Sequence, residues 1–150
     1  MRTIRSILFL SCSVVLLACS LVPAQAKGRS GGGGGASLVL TSEAVVPGPG
    51  EVGASATAVV NVSHGEVCFA VTLGSLSGFI QEIALYQAPA GQSGPEVLRL
   101  TPTPIGIYQI KGCAACDATL GREIARNPSA YYIQIRTGLY PGGALRAQLH

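Results

Sequence analysis

The clearest pattern of hydrophobic and polar positions lies near the C-terminus of the chain. In YYIQIRT, residues 131–137, Tyr131, Ile133 and Ile135 share one face, and the same period of two recurs in ALRAQL, residues 144–149. Such alternation is typical of antiparallel strands with one buried face. The intervening LYPGG contains a proline and two glycines, which favour a tight turn. The sequence therefore predicts a C-terminal β-hairpin.

Further short strands are predicted upstream, where β-branched runs are bounded by turn-forming residues. A second hairpin is expected at His64-Gly65, and DATLGREIAR at 117–126 predicts a short helix capped by Asp117 or Thr119. About eight strands with frequent turns indicate an all-β antiparallel sandwich with one short helix. The strands expected before the C-terminal hairpin are residues 37–41, 55–63, 66–73, 80–86, 96–100 and 106–110.

The N-terminal region predicts an export signal. Two arginines precede the apolar run ILFLSCSVVLLACSLV, and Ala24-Gln25-Ala26 offers a cleavage site, so residues 1–26 are interpreted as a signal peptide. The alternative is lipidation at Cys19, within the lipoprotein-like LLAC. Residues 27–36 are interpreted as a glycine-rich tether and residues 37–150 as one domain. We expect a secreted, extracellular or periplasmic protein, or alternatively one lipid-anchored at the cell surface.

The charge of the chain gives no sign of a nucleic-acid partner. The formal net charge is +3, but two of the ten Lys and Arg residues and none of the seven acids lie in the first 26 residues. Cleavage there leaves eight bases against seven acids. Neither a basic cluster nor an aromatic platform in basic surroundings is evident, so nucleic-acid binding is not expected.

The residues of common catalytic sites are scattered along the chain. The acids occur singly, and the two histidines are His64 in a turn and His150 at the C-terminus. We therefore expect no metal, no cofactor and no enzymatic activity. One pattern competes with this interpretation, because Cys113 and Cys116 have the spacing of a thiol redox pair and precede the predicted helix. A structural disulfide is the other use of these cysteines in an oxidising compartment.

Two stretches of the chain resemble a known family. YYIQIRTGLYPGGALRAQL is similar to the C-terminal signature of CHRD domains, in which a strand like Y-V-N-V-H-T precedes Y-P-x-G-x-I-R-G-x-L. GSLSGFIQEIALYQAPAGQSGPEVLRL, residues 74–100, resembles the family's G-L-x…A-H-I-H…G-x-x-G-P-V-V-x-L. The resemblance spans about residues 37–149 and implies an immunoglobulin-like or superoxide-dismutase-like β sandwich.

The resemblance also implies where a family metal site would lie. The positions of its strand histidines hold Ala84, Tyr86 and Arg136 here, and an acidic position of the final hairpin holds Ala144. A methyl group has no donor atom, and a guanidinium has no lone pair to give. We therefore expect a non-catalytic binding or structural module, whose partner is an unknown extracellular protein or polysaccharide. A dismutase-like metal-binding enzyme is the alternative. Membrane contact is expected only through the alternative lipid anchor.

The same matched positions suggest a ligand site. Tyr86 and Arg136 are predicted to share a face with Tyr132, so that the two rings supply flat contact area and the guanidinium grips a carboxylate or sulfate. The competing interpretation is a surface pair in which the arginine stem packs on the tyrosine ring.

The resemblance further implies a disulfide between Cys68 and Cys113, with Cys68–Cys116 as the alternative. Closing a loop of that length stabilises a domain by roughly 3–4 kcal/mol in a chain-entropy estimate. One thiol is left over, either free or joined to another molecule.

Overall fold

The computed structural model describes residues 35–63, 65–100, 103–104 and 108–150. The predicted signal peptide, residues 27–34 of the predicted tether, Cys19 and His64 lie outside this range. The described part contains one helix, α1 (Ala118–Arg126), and a short 3-10 turn at Pro128–Ala130. Its strands are β1 (Ala36–Thr41), β2 (Ser55–Ser63), β3 (Glu66–Leu73), β4 (Ile80–Gln87), β5 (Glu96–Leu100), β6 (Thr103–Pro104), β7 (Gln109–Ala115), β8 (Tyr131–Thr137) and β9 (Leu145–Gln148).

The strands form one antiparallel sheet in the order β5-β4-β8-β9-β1-β2-β3-β7-β6. The predicted C-terminal hairpin is confirmed, because β8 and β9 pair from Tyr132 with Gln148 to Ile135 with Leu145. The hairpin of β2 and β3 is confirmed as well, and Gly65 in its turn has a φ of 84°. These observations confirm the all-β class with one short helix.

The sheet folds back on itself around a single main core, which makes it a sandwich close to a barrel. β5 and β7, near the two sheet edges, come into contact. Alternate residues of most strands point into this core, as the period of two predicts. Burying each large apolar side chain contributes about 1.5–3 kcal/mol. The core includes Leu38, Leu40, Ala58, Val60, Val67, Phe69, Val71, Ile83, Leu85, Leu100, Ile133, Ile135 and Leu145.

The helix forms where the sequence predicts it. Asp117 is the N-cap, and its Oδ1 accepts a hydrogen bond of 2.7 Å from the backbone N–H of Thr119. Ile124 is buried against the core. Gly121 is buried too, and a Cβ at that position would lie 3.1 Å from the carbonyl oxygen of Ser63. Glycine in this helix therefore permits close approach to the end of β2, despite its low helix propensity.

The strand before the helix differs from its prediction. We expected residues 106–110, but β7 runs from Gln109 to Ala115, and residues 105–107 lie outside the described part. The strand continues through Gly112 because its whole length pairs with β3, from Gln109 opposite Thr72 to Ala115 opposite Glu66. Tertiary pairing thus overrides the low strand propensity of a glycine-containing segment.

Candidate functional site

The candidate site lies on the outer face of β4, β8 and β9, which is the face turned away from the main core. Strand register places its side chains directly opposite one another, since Tyr86 pairs with Tyr132 and Glu82 with Arg136. Arg146 of β9 pairs with Gln134 of β8. The outer face consists of Glu82, Ala84, Tyr86, Tyr132, Gln134, Arg136, Arg146 and Gln148.

Two stacked tyrosines form the centre of the outer face. The ring centroids of Tyr86 and Tyr132 lie 5.1 Å apart, and the ring planes are 12° from parallel. Both residues are almost fully buried, at 3% and 2% exposure, in a small cluster with Ala84 and Ala88. An offset stack of this kind adds about 0.5–1.5 kcal/mol to the effect of burial. The outer face therefore has a packed aromatic centre.

An arginine lies against each end of this stack. The guanidinium carbon of Arg136 is 5.1 Å from the Tyr86 centroid, and that of Arg146 is 3.5 Å from the Tyr132 centroid. Both distances fall within the range of cation–π attraction. The outer face thus presents a continuous series of cation, ring, ring and cation across three strands.

Arg136 belongs to a charged network at the solvent side of the stack. Its Nη1 lies 3.4 Å from Oε1 of Glu82, which also accepts a hydrogen bond from the Tyr86 hydroxyl. Arg99 of β5 donates to Oε2 of Glu82 at 2.7 Å and to both oxygens of Glu96. The hydrogen bond from Arg99 lowers the pKa of the Glu96 carboxyl. Burial, and then the bond to Glu82, raise the pKa of Tyr86.

Arg146 lies at the other end of the stack and is 2% exposed. Its Nη1 donates to the carbonyl oxygen of Gln92 at 2.8 Å, and its Nη2 donates to that of Pro89 at 3.2 Å. Nη2 also donates to Oε1 of Gln148. Burial lowers the pKa of this guanidinium from its usual value. Arg146 therefore fastens the loop at residues 88–95 over the outer face.

The chemistry of the outer face is that of packing and charge pairing. The methyl group of Ala84 and the guanidinium of Arg136 offer no lone pair to a metal ion, and the Tyr86 hydroxyl is bonded to Glu82. Ala144 is fully buried beside the final hairpin. Within the described residues one group of potential ligands does lie close together, Glu66, Cys68 and Cys113, but a disulfide occupies its two sulfurs.

The expected disulfide is confirmed. Cys68 of β3 and Cys113 of β7 face each other in the strand register with their Cα atoms 4.0 Å apart, and their sulfurs are bonded. The alternative bond from Cys68 to Cys116 is not formed. Cys116 has no disulfide partner among the described residues and packs partly against the core. Because the sulfur of Cys113 is bonded to Cys68, Cys113 and Cys116 are not paired with each other in this structure.

The structure brings the three predicted ligand-binding residues together. Tyr86, Tyr132 and Arg136 do share the outer face, as the resemblance and the alternation in residues 131–137 together imply. The rings are covered, while the Arg136 side chain keeps 33% of its surface exposed. Ligand binding by these residues stays a prediction.

Two important residues of the site were not identified from the sequence. Alternation placed Arg146 on the outer face, but its burial depends on the loop at residues 88–95, which no local pattern reveals. Glu82 looked like a single exposed acid in a strand. Its place two residues before Ala84, on the same face of a strand as Tyr86, was the available signal.

Comparison with known families agrees with the geometry. A family model for the CHRD domain matches residues 36–149. No curated protein and no solved structure matches the chain. The described part has no helix of the length and apolar character that a membrane span requires. The family match covers most of the chain and includes every strand of the sandwich, so this chain belongs to the CHRD domain family.

Proposed function

We propose that this chain is an exported, non-catalytic CHRD module that acts through binding or as a structural unit outside the cytosol. The observation that carries the proposal is the series Arg146, Tyr132, Tyr86 and Arg136. It fills the face on which the resemblance implies histidine ligands. A face packed with rings and guanidinium groups stabilises a fold and leaves no open coordination position.

The charges around the stack support a role without proton transfer. A general acid or base works best when its pKa lies near the working pH. Here the pKa of Tyr86 is raised and that of Glu96 is lowered, both away from neutrality. Glu82 is held by two arginines and by the Tyr86 hydroxyl. These groups are arranged to neutralise one another.

The disulfide supports export. Cys68–Cys113 lies on the sheet surface, with Cys113 exposed. Disulfides persist in oxidising compartments and are rare in the reducing cytosol. Together with the N-terminal sequence, this favours a secreted or periplasmic protein, with a lipid anchor at Cys19 as the alternative form.

The most direct test is elemental analysis with intact-mass measurement of the protein purified from cells that export it. We expect neither copper nor zinc in stoichiometric amount, and a mass that corresponds to cleavage after Ala26 with one disulfide. Stoichiometric copper or zinc would favour the dismutase-like alternative. A mass that includes lipid at Cys19 would place the module at the cell surface and reject free secretion.

The ligand hypothesis for the outer face concerns Arg136, the exposed cation of the stack. Its guanidinium is within reach of solvent, but Glu82 already neutralises part of its charge. An acidic polysaccharide would therefore bind weakly and in competition with Glu82.

Retention on a sulfated polysaccharide column tests this directly. We expect Arg136→Ala to elute at lower salt than the parent protein, whereas Arg122→Ala, which removes an exposed arginine from α1, serves as the matched control. Elution of the two variants at the same salt concentration would reject a ligand site at Arg136.

A further inference from the structure

The exposed hydrophobic side chains are concentrated at one end of the sandwich. Of the six large hydrophobic side chains that are exposed in the described part, two lie on the sheet surface, Val39 and Val59. The other four lie where β1, β3 and β8 end and where β2, β4, β7 and β9 begin. They are Val52 at 81%, Phe79 at 76%, Tyr108 at 58% and Leu139 at 67% exposure.

Three loops carry the most exposed of these side chains, residues 42–54, 74–79 and 138–144. We call them the apical loops. Phe79 and Leu139 come from different loops but are neighbours, because the N–H of Gly138 donates to the carbonyl oxygen of Phe79 at 3.3 Å. A Cβ on Gly138 would lie 3.6 Å from the Phe79 ring, and one on Gly78 would lie 3.5 Å from Leu139. The two tips therefore form one apolar knob.

Glu51 holds the three apical loops together. Its Oε1 accepts a hydrogen bond of 2.5 Å from the N–H of Ser77, and its own N–H donates to the carbonyl oxygen of Ala144 at 3.0 Å. The residue is 7% exposed, so these bonds are shielded from water. The neighbouring Val52 is thereby held close to the Phe79 loop. Side chains on fixed loops lose little conformational entropy when they bind, so the arrangement is preorganised.

The apical loops are almost free of charge. They contain no lysine or arginine, and their two acids are Glu43 and the buried Glu51. The opposite end of the sandwich carries α1 with Arg122, Glu123 and Arg126. A surface without cations does not attract anionic lipids or nucleic acids.

The area of the exposed apolar surface on the apical loops distinguishes a protein partner from a lipid surface. The exposed side chains together offer an apolar area on the order of a few hundred Å², comparable with the largest patch of a typical monomer. A stable protein interface buries about 800 Å² on each partner. Three exposed side chains on separate loops fit a lipid surface better than a protein partner, because each side chain can insert between lipids without a complementary pocket. Apolar side chains that enter the boundary between headgroups and acyl chains give binding that scales with buried area.

We propose that the apical loops insert Phe79, Leu139 and Val52 into the surface of an uncharged, zwitterionic lipid bilayer. The insertion is peripheral, and the body of the sandwich stays outside the hydrocarbon. It would be a membrane contact in addition to the lipid anchor at Cys19, which was the one membrane contact expected from the sequence. Because the contact is apolar, it is insensitive to salt and gains nothing from anionic lipid. This surface shares no residue with the stack of Arg146, Tyr132, Tyr86 and Arg136, and a variant of either surface leaves the side chains of the other in place, so the two proposals are tested independently.

The absence of tryptophan from the chain makes the test specific. Phe79→Trp and Val39→Trp each introduce a single tryptophan, the first on the knob and the second on the sheet surface. With phosphatidylcholine vesicles, we expect the emission of the Phe79→Trp protein to move to shorter wavelength at both low and high salt. The Val39→Trp protein should show no shift.

Vesicle co-sedimentation then measures the contribution of the knob. The double variant Phe79→Ser, Leu139→Ser should bind at least about tenfold more weakly, since it removes the two largest of the inserted side chains, while Val39→Ser binds as the parent does. Undiminished binding of the double variant overturns the proposal, as does binding that requires phosphatidylglycerol or is lost in high salt. A concentration-dependent dimer that the double variant abolishes, seen by light scattering without vesicles, would assign the knob to self-association and also overturn it.

Discussion

The guanidinium carbon of Arg146 lies 3.5 Å from the centroid of the Tyr132 ring and is covered by the loop at residues 88–95. The contact joins β9 to β8 on the outer face, while two backbone carbonyls of the loop accept hydrogen bonds from the same side chain. The residue is thus a charged group whose main partners are a ring and carbonyl dipoles. Such a group is costly to bury unless every donor is used.

Replacing Arg146 tests how much this contact stabilises the domain. Arg146→Ala leaves the carbonyl oxygen of Gln92 without its guanidinium donor, and that of Pro89 with the backbone N–H of Gln92 as its remaining donor. It also uncovers the Tyr132 ring. We expect a loss of about 2–4 kcal/mol in the free energy of unfolding, measured by urea denaturation. Arg146→Lys keeps the charge but loses the planar fork, so its loss should be smaller, about 1–2 kcal/mol.

Arg122→Ala is the control for this series, because Arg122 is exposed on α1 and its side chain bonds, within the part of the chain that the structure describes, only to Thr119. Its effect should stay within about 0.5 kcal/mol. If Arg146→Ala lowered the free energy of unfolding as little as this control does, Arg146 could not be the residue that holds the loop at residues 88–95 in place.

The disulfide gives a second prediction. Cys68 and Cys113 are separated by 45 residues in sequence, so breaking their bond frees a long loop in the unfolded state. The double variant Cys68→Ala, Cys113→Ala should lose about 3–4 kcal/mol of stability. Peptide mapping of the parent protein should recover Cys68 joined to Cys113 and an alkylated Cys116.

Cys116→Ala provides the comparison, since it removes a half-buried thiol and leaves the bond intact. Its loss should stay near 1 kcal/mol or below. Recovery of a peptide that joins Cys113 to Cys116 would instead support the thiol redox alternative.

Local pattern was sufficient for most of the fold because each strand has to bury one face. Tyr131, Ile133 and Ile135 alternate with outward residues, and this alone places YYIQIRT on the core. The helix could also be predicted from local sequence, since Asp117 caps it and Asn127 ends it. The continuation of β7 through residues 111–115 was missed because this segment is held by pairing with β3, a contact between residues distant in sequence.

The candidate site was only partly predictable for the same reason. Alternation put Tyr132 and Arg136 on one face, the family resemblance added Tyr86 to it, and strand register in the structure places Tyr86 opposite Tyr132. The coverage of Arg146 depends on a loop that folds back from the end of β4, and the pairing of Glu82 with Arg99 depends on β5. Neither contact leaves a periodic signal in the sequence. The apical loops show the same limit, since Glu51 joins three segments that are far apart in the chain.

Tyr86 gives a prediction about alkaline pH. Its pKa in the folded protein is raised by burial and by its bond to Glu82, above the value of about 10 expected in the unfolded chain. The unfolded state therefore releases this proton first, and stability that is present below about pH 10 is lost as the pH rises further. The loss should reach about 1 kcal/mol between pH 9 and pH 11.

The slope of the free energy of unfolding against pH, compared between the parent and Tyr86→Phe proteins, separates the effect of ionisation from that of the lost hydrogen bond. Tyr86→Phe should be less stable at neutral pH, but its stability should fall less steeply above pH 10 in urea denaturation. Tyr108→Phe, which alters a tyrosine more than half exposed, should keep the slope of the parent protein. Identical slopes in the parent and Tyr86→Phe proteins would contradict the assignment of the shift to this residue.

Two glycines of the first apical loop give a matched pair for testing how tightly the loops pack. A Cβ on Gly50 would lie 2.1 Å from the carbonyl oxygen of Ala144 and 2.9 Å from Cγ2 of Val45, whereas a Cβ on Gly48 would meet nothing within 4 Å. The clash at Gly50 is with backbone, which cannot move without breaking the bond from Glu51 to Ala144. Gly50→Ala should therefore cost about 1–3 kcal/mol in urea denaturation. Gly48→Ala should be neutral or slightly stabilising, because alanine restricts the unfolded chain. Equal stability of the two variants would mean that the apical loops separate easily, and would remove the rigidity on which their preorganised display of Val52, Phe79 and Leu139 depends.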